Sequence, residues 1–429
     1  MRDKPSSSES SNQRVTIPIE VARDKSKNST NHSSLTSLMT TLNKGVSFTQ
    51  PLPPLSIYIH VPWCVKKCPY CDFNSHAISG EIPEKEYLQA LEQDLISVLP
   101  SVWGRQIHSI FIGGGTPSLL SAKALDDLLT VLRNLFNLAP YTEITMEANP
   151  GTVEVERFKA FAASGVTRLS LGVQSFNDEM LKRLGRIHDS YQAKKAIEIA
   201  QQSFQRINLD LMYALPFQTL KDCHQDVQTA LSFGTEHLSL YNLTLEPNTV
   251  FAKYPPEGIP DDDLAGDMQD MLIDLTQQNG FEQYEVSAYA KKNAYCQHNL
   301  NYWEFGDYIG VGPGAHGKIS SHNQILRTAR VKNPDSWMQK VKTGEQLVES
   351  RLLTVKDIPF EFMLNVLRLK QGVPTHYFSD RCGVPLSLMT AKINEAVSKG
   401  LLDSDPTRLK ASALGWRYLN DLQEMFLMD

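Results

Sequence analysis

The sequence predicts an α/β fold: an incomplete (β/α)6 barrel followed by a C-terminal α+β and helical, winged-helix-like region. Two observations lead there. Six short β-rich runs alternate with stretches of helical periodicity between Ser56 and Tyr241, and the alternation stops after Glu246-Pro247. Successive strand-helix units imply a parallel sheet with right-handed crossovers, and six units rather than eight suit an incomplete barrel better than a closed one. A doubly wound sheet is the alternative. In both arrangements the C-terminal ends of the strands form the functional rim.

Taken in order, residues 1–49 are rich in Ser, Thr and Asn, mix both charge signs, and hold few large apolar side chains. They bury too little surface to offset the entropy of ordering and read as a disordered extension. A mitochondrial transit peptide fits less well, because Asp3, Glu9, Glu20 and Asp24 interrupt the basic residues. Strands are expected at Ser56–Val61, Ile107–Ile112, Glu143–Met146, Arg168–Val173, Ile207–Met212 and His237–Tyr241. Amphipathic helices fit Lys85–Val98, Ala122–Phe136, Glu154–Ser164, Tyr191–Phe204 and Leu220–Ser232. A further helix, Asp263–Gln278, leads into a Gly- and aromatic-rich region from Tyr295 to Gly317 that reads as irregular. From about Thr354 short helices are expected at Pro359–Leu369, Pro374–Ser379 and Pro385–Lys399, with a last one near Ala413–Met425. The domain plan is thus 1–49 extension, 50–247 core barrel, 248–353 C-terminal extension and 354–429 small helical module.

The chain's 429 residues carry 42 Lys and Arg against 48 Asp and Glu, a net charge of −6, so nothing in the balance calls for nucleic acid or an anionic membrane as main partner. No apolar run approaches the roughly 18 residues that cross a bilayer, and no signal-peptide core precedes the barrel; membrane insertion is not expected and a cytoplasmic location is.

Of six cysteines, Cys64, Cys68 and Cys71 share one loop after the first strand, spaced C-x3-C-x2-C, while Cys223, Cys296 and Cys382 are scattered. Three thiolates on a tight loop can hold three corners of a [4Fe–4S] cube and leave one iron open to a small ligand. A zinc knuckle competes poorly, since it wants four ligands and His60 and His76 lie awkwardly for the fourth. The second strand ends in Gly113-Gly114-Gly115-Thr116-Pro117, where missing Cβ atoms let backbone approach a ligand.

With these residues in place, the sequence resembles the radical S-adenosylmethionine (SAM) superfamily, in the branch of oxygen-independent coproporphyrinogen III oxidase and its haem-chaperone relatives. The likeness runs from about Ser56 to the C-terminus. It rests on Tyr58-Ile59-His60-Val61-Pro62 before the cysteines, the GGGTP turn, Glu147-Ala148-Asn149-Pro150, Gly172-Val173-Gln174-Ser175-Phe176 and Asn208-Leu209-Asp210-Leu211-Met212-Tyr213.

The resemblance implies a cluster on Cys64, Cys68 and Cys71 whose open iron is chelated by SAM, with a 5′-deoxyadenosyl radical formed when a reduced cluster cleaves the C–S bond. By position it implies that Tyr58, Tyr70, Gly114, Gly115 and Thr116 line the SAM site and that Glu147, Gln174, Arg186 and Asp210 supply its polar contacts; Thr244 is a looser match, through its backbone.

Two features separate chaperone from oxidase within that branch. The oxidase pattern continues the loop to C-x3-C-x2-C-x-C, and here Phe73 stands at the last position. The run His298-Asn299-Leu300-Asn301-Tyr302-Trp303 looks like the chaperone signature. The resemblance therefore implies a haem carrier that serves haem-accepting proteins such as respiratory enzymes and meets an electron donor for its cluster, with the oxidase as alternative. His298 offers an imidazole to haem iron, and Tyr302 and Trp303 offer ring faces. Equally, His298 could cap a loop while the aromatics fill an interface between modules. Cys296, two residues upstream, is a weaker candidate as a thiolate, and His316 weaker again, because its glycine-rich loop better suits packing near the cofactor.

Overall fold

Residues Leu55–Val61 form β1, in which every residue but Tyr58 is buried, the pattern of a strand covered on both faces and paired on both edges. This computed structural model describes residues 45–49, 51–152 and 155–428. From β1 the sheet continues through β2 (Gln106–Gly114), β3 (Asn137–Ala148), β4 (Arg168–Gln174), β5 (Arg206–Tyr213) and β6 (His237–Asn242), each parallel to the one before. The crossovers are α1 (Glu84–Val102), α2 (Ala122–Leu135), α3 (Val155–Ser164), α4 (Ser190–Gln201) and α5 (Leu220–Ser232). Their starts are written locally: the Ser121 hydroxyl accepts from the Ala124 amide at α2, and Asp189/Gln192 and Thr219/Asp222 form capping boxes at α4 and α5. All six expected strand-helix strands are present in order.

The sheet does not end there. After α6 (Asp262–Gln278), β7 (Glu282–Gln283) and β8 (Ala288–Ala290) add antiparallel strands beyond β6. Then α7 (Gln297–Trp303) leads into β9 (Asp307–Val311), which pairs parallel to β1 on its free side. An antiparallel meander of β10 (His316–Ser321), β11 (Gln324–Arg330) and β12 (Leu347–Leu352) follows. The result is one twelve-stranded open sheet with β12 and β7 at its edges and β1 near its middle. The stretch Tyr295–Gly317, expected to be irregular, is thus a helix and two strands. Glycine hid it. A Cβ at Gly310 would strike the His316 carbonyl oxygen, and one at Gly306 the Asn301 side chain, so close packing demands the residue that lowers strand propensity.

Two ion pairs fasten the extension to the barrel: Asp307 accepts from Arg105 at 2.8 Å, and Asp94 of α1 accepts from Arg330 Nε of β11 at 2.7 Å. Within the extension, Asp307 also accepts from Lys318 Nζ at 2.7 Å. The C-terminal module builds its own apolar core around Phe362, Phe378 and Phe426, from α8 (Asp357–Val366), α9 (Tyr377–Cys382) and α10 (Thr390–Ser398). A two-stranded ribbon, Val373–Pro374 with Arg408–Leu409, supplies the wing. The last expected helix breaks at Tyr418 into Ala413–Arg417 and Leu419–Glu424.

Most of the expected N-terminal extension, residues 1–44, lies outside the described residues. Its end departs from the expectation: Val46 and Phe48 are buried in the C-terminal core, and Ser47 donates its amide to the Gly383 carbonyl. Two apolar side chains among polar neighbours suffice, because the groove they fill is made elsewhere in the chain. No helix among the described residues is long and apolar enough to cross a membrane.

Candidate cluster and cofactor site

The chain leaves β1 at the rim and turns through the cysteine loop, which a parallel bridge of Trp63–Cys64 with His76–Ala77 closes. Cys64, Cys68 and Cys71 are free thiols, each partly exposed. Every one has a donor close to its sulfur: Thr116 Oγ1 at 3.4 Å from Cys64, Arg186 Nη1 at 3.6 Å from Cys68, and the Ser75 hydroxyl at 3.8 Å from Cys71. Burial pushes the thiols of Cys64 and Cys71 up, so a proton must be displaced for either to ligate iron. The glycine turn is zipped onto this loop by Gly115 N–H to Val61 O and Thr116 N–H to Trp63 O, both 2.7 Å. A Cβ at Gly115 would collide with the Trp63 carbonyl, and Gly114 sits at φ +115°, so neither position admits an ordinary residue.

The three cysteines open onto a cavity of about 380 Å³ that also receives the rim residues. Glu147, from the end of β3, accepts from the Gly114 amide at 2.9 Å; burial, with Asp210 nearby, raises its pKa to about 8. Asp210 of β5 accepts from Ser170 Oγ at 2.9 Å and Asn208 Nδ2 at 2.8 Å, and burial raises it too. Gln174 ends β4 at φ +69°, past a break in register against β5, a costly conformation for a residue with a Cβ and one that recurs at functional sites. Arg186 is anchored by the Gly172 carbonyl at 2.7 Å and reaches the Tyr70 hydroxyl at 3.4 Å as well as Cys68. The cavity thus combines thiols, a guanidinium, carboxyl groups and side-chain amides, a set suited to a zwitterionic ligand with a ribose.

Cys64, Cys68, Cys71, Tyr70, Gly114, Gly115, Thr116, Glu147, Gln174, Arg186 and Asp210 all line this cavity, as does Thr244, whose hydroxyl is turned to Glu246 at 2.7 Å. Tyr58 does not: it faces a neighbouring cavity and bonds His60 Nδ1 at 3.0 Å. Lining residues that sequence reasoning did not single out include Ile187, Tyr241 and Asn242, while Asn149 and Met212 stood inside quoted motifs without a role. Tyr241 and Asn242 are the last two residues of β6, so the rim rule pointed to them without a motif to single them out.

A [4Fe–4S] cube has separate iron corners and takes thiolates spread along a loop such as the one that carries Cys64, Cys68 and Cys71. A donor at each sulfur, the cradle left by missing Cβ atoms and the open cavity beside it fit the [4Fe–4S] group.

His298, read from the sequence as a haem candidate or a structural residue, is enclosed by protein. It is 1% exposed inside the barrel, its Nδ1 paired with Ser109 Oγ at 3.0 Å and its ring packed edge-on to Tyr302 at 4.8 Å. It lines neither cavity, and burial lowers its pKa to about 3. The reason is helical phase: α7 turns His298 and Asn301 inward. Cys296 is also buried, 3.7 Å from Glu143 Oε1, with its thiol pushed up to about 11. His316 alone of the three is exposed, at the start of β10.

Residues 58–230 match the model of the radical SAM superfamily and residues 353–418 that of the HemN C-terminal domain. The chain is 47% identical over 380 residues to the heme chaperone HemW of Escherichia coli (strain K12), covering 88% of this chain and 99% of that one. It is 45% identical over 384 residues to the heme chaperone HemW of Haemophilus influenzae, with the same coverage of 88% and 99%. Among solved structures, the radical SAM coproporphyrinogen III oxidase HemN of Escherichia coli shares the fold, with a TM-score of 0.75 over 92% of this chain and 93% of that one at 22% identity.

Proposed function

Because the chain belongs to the family of the heme chaperone HemW, within the radical SAM superfamily, we propose that it holds a three-cysteine [4Fe–4S] cluster and SAM, binds haem, and passes haem to acceptor proteins in the cytoplasm. The single observation that supports the cofactor reading best is the opening of Cys64, Cys68 and Cys71 onto the same cavity as Glu147, Gln174, Arg186 and Asp210. When bound, the cluster supplies an open iron for the amino and carboxylate groups of SAM and an electron for its reductive cleavage.

The residues of the chain have separable tasks. Thr116, Ser75 and Arg186 place donors beside the three sulfurs and stabilise their anionic, ligating form. Arg186 in addition presents positive charge to a carboxylate in the cavity. Gln174, held at positive φ, and Asp210, fixed by Ser170 and Asn208, offer acceptors for ribose hydroxyls without rearranging. Glu147, held protonated at neutral pH, can donate as well as accept.

The chaperone reading is favoured over the oxidase by Phe73, which is 58% exposed on the cavity wall and stands where the oxidase pattern has a further cysteine. The test is reconstituted protein with SAM, a low-potential reductant and coproporphyrinogen III. Absence of protoporphyrinogen together with saturable haem uptake is the expected result; multiple turnovers would establish the oxidase instead.

A further inference from the structure

A second cavity, of about 650 Å³, lies beside the first and shares Cys71, Asp72, Phe73 and Ser75 with it as a common wall. The start of the meander, Gly314 to His316 with Lys332, supplies another part of its wall, and Tyr58, Tyr302 and Tyr308 line it as well. Asn74 ties the two walls together, donating to the Pro313 carbonyl at 2.9 Å and the Lys332 carbonyl at 2.8 Å. The volume falls in the range of small-molecule and cofactor sites.

Three imidazoles face this space, and their hydrogen bonds sort them. His60 is spent at both nitrogens, on the Tyr58 hydroxyl and the Asn74 carbonyl at 2.8 Å. His76 uses Nε2 on Asn74 Oδ1 at 3.3 Å. His316 makes no side-chain hydrogen bond among the described residues, is exposed, and shares the lining of this cavity with Lys67 and Lys332.

We propose that this second cavity seats haem, with His316 as axial ligand to the iron and Lys67 and Lys332 pairing with the propionates. The assignment rests on the haem-carrier reading and gives that reading a place. Tyr302 and Tyr308, packed edge to face at 4.4 Å, present a rigid aromatic floor to the macrocycle. Partial burial is the main cause that depresses protonation of His316; Glu349 opposes it, Arg327, Lys332 and Arg330 add to it, and the net effect favours the neutral, ligating imidazole. The run that first drew attention, His298 to Trp303, then contributes Tyr302 to the floor, while His298 supports that ring from inside. The shared wall of Cys71, Asp72, Phe73 and Ser75 sets this seat beside the cluster cavity.

The test is haem titration of the full-length, anaerobically reconstituted protein, read by the Soret band. Haem uptake by the wild type tests the reading on which the proposal rests: no saturable binding removes both. With wild-type binding established, His316→Ala and His316→Gln are expected to shift the Soret band and weaken affinity by about ten-fold or more. Lys332→Glu should weaken it without moving the band. Both variants are at exposed positions, and retained cluster absorption shows that they fold. An unchanged band and affinity in both His316 variants would overturn the ligand assignment and leave the haem reading standing.

Discussion

Ser109 Oγ lies 3.0 Å from His298 Nδ1 and 2.7 Å from the Ser56 hydroxyl, so β1, β2 and α7 are joined by a buried polar chain beneath the cofactor cavity. This is the geometry of a packing residue. His298→Ala removes a ring that Phe111, Tyr58 and Tyr302 enclose, and leaves Ser109 with one partner fewer. It is expected to lower stability by about 2–4 kcal/mol in urea unfolding. The Soret position of haem-loaded protein should stay where it is; a shift of the band in a variant that retains its cluster would return His298 to the haem.

Cluster assembly should depend on three cysteines and no others. Replacing Cys64, Cys68 or Cys71 with Ala is expected to abolish the broad visible absorption of a [4Fe–4S] centre, whereas buried Cys223→Ser and Cys382→Ser should leave iron content unchanged. Iron near four per chain in Cys68→Ala would contradict the assignment.

Glu147 sets a pH dependence in the cofactor-free protein. Its folded pKa, about 8, lies above the ordinary carboxyl value because of burial first and Asp210 second. A group raised in this way binds more protons folded than unfolded. Stability is therefore highest below the ordinary carboxyl pKa and falls as pH rises toward 8. Glu147→Gln keeps an acceptor for the Gly114 amide and removes the titration. Its advantage over the wild type in melting temperature should be small at pH 5 and grow steadily to pH 8; parallel profiles would show that Glu147 is not the group responsible.

The pair of Lys318 and Asp307 offers a test of the buried charge centre within the extension, which Arg105 ties to the barrel. Both side chains are almost wholly buried, and Asp307 also takes bonds from Arg105 and Ser320. Lys318→Met leaves part of that carboxylate's charge uncompensated and is expected to cost about 3–5 kcal/mol by denaturant unfolding. The double variant Lys318→Met/Asp307→Asn should recover part of the loss, because it no longer buries an unpaired charge.

The parallel core was legible because its strands are apolar runs between capped, amphipathic helices, and each rule reads a local pattern. The cysteine loop and the glycine turn were legible for the same reason: their chemistry lies in adjacent residues. β9 was not, since Gly306, Gly310 and Gly312 erase strand propensity exactly where β10 and the cysteine strand crowd the backbone. The inward turn of His298 was equally hidden, because a seven-residue helix has no periodicity long enough to tell which face meets the barrel. Nor could composition show that Val46 and Phe48 belong to a core built some 300 residues further on.

The place of β1 in the sheet imposes an order in time. Its register partner on one side is β2, nearby in sequence, but on the other it is β9, with Leu55 set against Asp307. During synthesis the strand that carries the cysteine loop therefore has an open edge until roughly 250 further residues have emerged, and non-local pairing of this kind is slow. Until then Asn74 also lacks the Pro313 and Lys332 carbonyls that hold the loop in shape. Metal loading before that would meet an unfinished site, so the physical expectation is that iron and sulfide enter only once the chain through Lys332 has emerged and docked.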